Sequence, residues 1–286
     1  MSEKPTPPWA NEIPEGGFIS YAPTYKVGEY FDRFSKDFFE PKDFDKMGYY
    51  FYDPTEHGAP KGQTYPLLVF MHGTTNALEG DVCINYAGAE FYSKEEYQKP
   101  LGGAYILIPL ANEYRDQDGK CKGQWDDIYI VPVYALINEF IKKHTEPNGG
   151  VSKKVILGNS SGGRMSLRMS AAYPEFFDAV VPMGASEIPG ESLLDLYDDN
   201  NVSLFFAMGK RDEFNSYEKD IVPLLPRMKR MKNCYIFTPD WVYNGDHGIA
   251  SINFGFEMGQ HLLQMQCTVI SCLMTAHQWK QDFQRV

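Results

Sequence analysis

The constraint that shapes every other reading of this chain lies near its middle. There the apolar run Val155-Ile156-Leu157 breaks into Gly158-Asn159-Ser160-Ser161-Gly162-Gly163, and a long helix-forming segment follows. A strand that turns into a helix through G-x-S-x-G sets its serine at the tip of a sharp, strained turn with the hydroxyl exposed. The flanking glycines have a steric task, because a Cβ at either place would press on the neighbouring strand or helix. Ser160 is the residue this spacing selects as a nucleophile. The helix behind it offers backbone N–H groups without intrahelical acceptors, together with the positive end of its dipole. A phosphate-binding loop competes for the same residues, since Gly158 and Gly163 have the G-x-x-x-x-G spacing. It loses both ligands, because Arg164 and Met165 stand where Lys and then Ser or Thr would be needed.

Strands on either side extend the pattern. Tyr65-Pro66-Leu67-Leu68-Val69-Phe70-Met71 reads as a parallel strand buried on both faces, and it runs directly into His72-Gly73-Thr74-Thr75. A main-chain N–H just past this glycine is expected to act as an oxyanion donor beside that of Ser161, with Thr74 the first choice and Thr75 the second. His72 precedes the serine, whereas the triad order read here is serine, acid, histidine, so it is expected to be a structural residue of its loop. Downstream, Asn201-Val202-Ser203-Leu204-Phe205-Phe206-Ala207-Met208 reads as a buried strand ending near Asp212, the candidate acid. Cys234-Tyr235-Ile236-Phe237-Thr238 reads as another buried strand, and the loop after it reaches His247-Gly248. His247 is the candidate general base. Asp240 and Asp246 compete for the acid role, and His261 and His277 for the base role, although those histidines fall in a helical C-terminal segment. Strands are also expected over 47–53 and 103–110, and an amphipathic crossover helix over 128–144.

With these residues on the page, the chain resembles the α/β-hydrolase superfamily from about Met47 onward. It looks most like the small esterases and prolyl-oligopeptidase-like hydrolases, a group that includes feruloyl esterases and polyhydroxybutyrate depolymerases. The resemblance rests on Phe70-Met71-His72-Gly73, the Gly158 to Gly163 turn, Tyr173-Pro174-Glu175-Phe176-Phe177, Val181-Pro182-Met183-Gly184-Ala185, Gly209-Lys210-Arg211-Asp212 and Asp246-His247. One departure is Ser161, where a small apolar residue or methionine is more usual. The resemblance implies an α/β-hydrolase fold, a mostly parallel sheet with helices on both faces. The short stretch between Gly184 and Val202 leaves no room for a large cap domain. It also implies a serine carboxylic ester hydrolase, needing no cofactor and no metal, that acts on a small to medium ester of feruloyl or acetyl type. A peptidase or acyltransferase with the same triad is the alternative, and a non-catalytic binding protein on the same scaffold is a third reading.

Composition bounds the remainder. At 286 residues the chain can bury the core of one catalytic domain, 47–286, preceded by an aromatic-rich extension, 1–46, expected to pack on the sheet edge or to flank the site. A net charge of −11 argues against nucleic acid and anionic membranes as partners, leaving a small-molecule ester as the expected partner and a homo-oligomer open. The five cysteines show no metal-ligand spacing and read as free thiols of a reducing compartment; with no apolar leader near Met1, a cytoplasmic location is expected. Two loop regions, 77–100 and 111–127, are placed to set specificity, and Trp125, Trp241 and Tyr243, with Tyr114, are the aromatic candidates for substrate contact.

Overall fold

The computed structural model describes residues 30–74, 89–112, 114–115, 121–210, 212, 215–238, 242–243 and 249–250. The first half of the chain forms β1 (Ser35–Phe39), β2 (Met47–Tyr52), β3 (Tyr65–Met71), α1 (Glu95–Leu101), β4 (Tyr105–Pro109), β5 (Tyr114–Arg115), β6 (Cys121–Lys122) and α2 (Ile130–Phe140). The second half adds β7 (Val151–Asn159), α3 (Ser161–Ala172), β8 (Ala179–Met183), α4 (Glu191–Asp199), β9 (Ser203–Ala207), α5 (Leu225–Arg230), β10 (Cys234–Phe237), β11 (Val242–Tyr243) and β12 (Ile249–Ala250). Among the described residues, eight strands make one sheet in the order β1-β2-β4-β3-β7-β8-β9-β10. Only the pairings of β2, with β1 and with β4, are antiparallel; from β4 to β10 every neighbour is parallel.

The apolar runs explain why the middle of this sheet is covered on both faces. In β3 every residue is buried. Leu67, Val69 and Met71 enter a core shared with Val133 and Leu136 of α2, Leu167 of α3 and Tyr197 of α4. Leu68 and Phe70 enter a second core with Tyr92 and with Tyr97 of α1. Pro66 has no N–H to give the ladder, and the pairing of β3 with β7 shifts register between Tyr65 and Leu67. Beyond that point the pairing runs regularly to Met71 opposite Gly158, which brings the ends of both strands to one level. In α2, Val133, Leu136, Ile137 and Phe140 share the buried face, and Pro132 stands in the first turn, where its missing N–H costs nothing. The helix then loosens into a π-turn over Ile141–Thr145, so the expected crossover is present but not regular throughout.

One expectation changes at a sheet edge. Among the described residues the strand beginning at Cys234 is the outermost parallel strand, and all four of its residues are half-buried, not buried. An edge strand has one neighbour, and its apolar residues cover the sheet's flank. At the other edge, residues 35–39 of the aromatic N-terminal segment form β1, an antiparallel strand of exposed and half-buried residues. Between β8 and β9, residues 184–202 hold only α4, so no cap domain is inserted there. Tyr197 of α4 is fixed to α3 by a hydrogen bond of 2.6 Å between its hydroxyl and Ser170 Oγ. No helix among the described residues is long and apolar enough to cross a membrane. Of the cysteines, Cys234 is a free thiol.

Candidate active site

The turn from β7 into α3 has the backbone its sequence requires. Ser160 sits at φ 53°, ψ −118°, a conformation that costs a non-glycine residue about 1–3 kcal/mol and persists only when the surroundings over-determine it. Three hydrogen bonds do so. The Ser160 N–H donates to the Met183 carbonyl at 3.1 Å, and its own carbonyl accepts from the N–H groups of Arg164 at 3.1 Å and Ser186 at 3.2 Å. The glycines are there because backbone is in the way: a Cβ on Gly158 would lie 2.5 Å from the Met71 carbonyl oxygen. Ser161 is the first residue of α3, so its N–H has no acceptor within the helix. Its side chain is 3% exposed, and its Oγ has no hydrogen-bond partner among the described residues.

The turn after β3 is braced from within. His72 is fully buried, and its Nε2 accepts the Ala111 N–H at 3.0 Å. The ring proton must therefore sit on Nδ1, which donates to the Gly73 carbonyl at 2.7 Å. Burial pushes the imidazole down to about 4, so it stays neutral and ties the end of β3 to the end of β4. This is the structural use expected for His72. Thr74 follows at the exposed end of the turn. Trp125, a candidate for substrate contact, braces the turn in this structure. It is fully buried, and its indole N–H donates to the His72 carbonyl at 3.0 Å. Held in this way, it supports the turn after β3.

Past β9, Asp212 is half-buried in a tight turn, its N–H donating to the Gly209 carbonyl at 3.2 Å. Its Oδ1 accepts the backbone N–H of Asn215 at 2.8 Å and the Asn215 amide at 3.2 Å. The same amide donates to the Ala185 carbonyl at 2.9 Å, and Ala185 packs directly on Gly163, whose Cβ would lie 2.8 Å from its own. Asp212 is thus anchored to the rim of the sheet that carries Ser160. Asn215 was not singled out from the sequence. The D-x-x-N spacing is its only trace, and its partner Ala185 lies far back along the chain. His247 and Trp241 lie outside the described residues, as do Thr75, Asp240, Asp246, His261 and His277. Tyr114 and Tyr243 fall in β5 and β11, and nothing is described of their side chains. No cluster of potential metal ligands occurs among the described residues.

No protein-family profile matches the chain, and no curated protein matches it in sequence. Solved structures do match in shape. A thermostable esterase superposes with a TM-score of 0.62 at 16% identity, over 86% of this chain and 64% of its own. An esterase of Pyrococcus furiosus gives 0.56 at 12% identity, over 90% and 98%. Est1E of Butyrivibrio proteoclasticus, which has also been solved with ferulic acid bound, gives 0.52 at 15% identity, over 85% and 99%. Together with the sheet order and the turn at Ser160, these likenesses establish that the chain has the α/β-hydrolase fold.

Proposed function

We propose that this protein is a serine-dependent carboxylic ester hydrolase. The observation that carries the reading is the backbone of Ser160: a non-glycine residue held at φ 53° between a buried parallel strand and a helix start, where strain is tolerated because the hydroxyl is needed at the tip. His247 takes the Ser160 proton as the oxygen attacks the acyl carbon, and Asp212 holds the imidazole in the right tautomer and stabilises its charged form. The developing oxyanion is met by the N–H groups of Thr74 and Ser161, each worth roughly 3 kcal/mol in such chemistry. The carbonyl re-forms, the alcohol leaves with the proton from His247, and water activated by the same ring releases the acid and restores the serine.

The absence of a cap between β8 and β9 supports a soluble ester of small to medium size. The likeness to Est1E supports a feruloyl-type acyl group, with acetyl esters as the smaller option. The test is turnover of nitrophenyl acetate and of a feruloyl ester by wild type and by Ser160→Ala. The variant is expected to lose about 10⁶-fold in turnover. Near wild-type rates in it end this reading.

A further inference from the structure

Arg164 and Trp125 take part in no step of this chemistry, yet they link the two halves of the site. Arg164 lies one helical turn after Ser160, and its backbone N–H donates to the Ser160 carbonyl at 3.1 Å. Its guanidinium Nη2 donates to the Trp125 carbonyl and stands 3.6 Å from Asp126 Oδ1. The Trp125 indole N–H passes the contact to the His72 carbonyl at 3.0 Å, with the two rings 4.9 Å apart. His72 in turn holds the Gly73 carbonyl at 2.7 Å and the Ala111 N–H at 3.0 Å. The next residue is Thr74.

Each link ends in a planar group whose donors point in fixed directions, so its hydrogen bonds constrain the position of the next. A second observation sets Arg164 apart from an ordinary surface pair. Its Nε is buried without a hydrogen-bond partner among the described residues, so the hold of this side chain on the loop runs through Nη2. Resting on the hydrolase reading, we propose that Arg164 and Trp125 are positioning residues that lock the oxyanion turn at Thr74 to the nucleophile helix. The span they fix is the gap between the Ser160 hydroxyl and a main-chain donor on another loop. Misplacement of such a donor by about 1 Å costs on the order of 10²-fold in rate.

The test uses Trp125→Phe, which keeps an aromatic ring and removes the indole N–H, and Arg164→Met, which removes the guanidinium; Arg164→Lys is the conservative rescue. Steady-state turnover of nitrophenyl acetate is read beside inhibition by a trifluoromethyl ketone, whose adduct with a serine carries an oxyanion. Both variants are expected to lose about 10- to 100-fold in kcat with KM nearly unchanged. The ketone should weaken by the same factor, and the double variant should be little worse than the poorer single one, because the links act in series. Arg164→Lys should recover part of the loss. Folded variants with wild-type kcat and ketone affinity, or a loss confined to KM, overturn the proposal. Should Trp125→Phe fail to fold, Arg164→Met and Arg164→Lys decide alone. A wild-type protein that a fluorophosphonate does not label at Ser160 removes the hydrolase reading and this inference together, whereas labelled variants with undiminished turnover remove the inference only.

Discussion

The carbonyl oxygen of Met71 lies 1.9 Å from where a Cβ on Gly162 would stand, so the end of β3 and the first turn of α3 meet backbone to backbone. That contact holds the first turn of α3 against the end of β3, and it leaves no side chain that could give way.

Gly162→Ala is therefore expected to destabilise the fold by at least about 3 kcal/mol, the upper end of overpacking penalties. Gly190 is the control, because a Cβ there meets nothing within 4 Å. Gly190→Ser, at the N-cap of α4, should change stability by no more than about 0.5 kcal/mol. Urea unfolding of both variants against wild type measures the difference.

The buried imidazole of His72 gives a pH dependence with a definite sign. Its folded value is about 4 against 6.5 when free, so between these the unfolded chain binds a proton that the native state refuses. The contribution to stability is whole above pH 6.5 and is lost as pH falls toward 4, amounting to about 3 kcal/mol. In His72→Gln this part of the slope should disappear, whatever the variant's stability at neutral pH. Unfolding free energies at pH 7 and at the acid end of the window, for both proteins, check it.

Asp212 and Asn215 should separate by role. Asp212→Asn is expected to lower kcat by about 10⁴-fold with the fold intact, as when a triad carboxylate is neutralised. Asn215→Ala leaves the carboxylate in place but removes the amide that joins it to Ala185, and should cost up to about 10²-fold. Equal rates in Asn215→Ala and wild type would show that the amide does not orient the acid.

The hydroxyl pair of Ser170 and Tyr197, 2.6 Å apart in the interior, bears on stability alone. Tyr197→Phe should cost about 0.5–1.5 kcal/mol, a single buried hydrogen bond, because Ser170 Oγ still donates to the backbone of its own helix. Turnover should not change. A fall in kcat would mean that α4 influences the site.

What could be read from the sequence divides along physical lines. β3 and the turn at Ser160 were legible because a doubly buried strand has no polar position and a strained elbow needs glycine on both sides. Both signals are local. The half-buried setting of β10 was not legible, since an apolar tetrapeptide looks the same at the edge of a sheet as in its middle. Nor was the use of Trp125 as a brace, because its acceptor on His72 is set by how α2's approach loop crosses the sheet. Asn215 was missed for the same reason: its anchor, Ala185, becomes a neighbour only once β8 and β9 pair.

The account stands most directly on whether Ser160 is the nucleophile. Intact-protein and peptide mass spectrometry after exposure to a fluorophosphonate measures this in wild type and in Ser160→Ala. The predicted result is a single adduct on the peptide containing Ser160, with none in the variant. A folded wild-type protein without adduct, or an adduct that persists when Ser160 is replaced, would contradict the account.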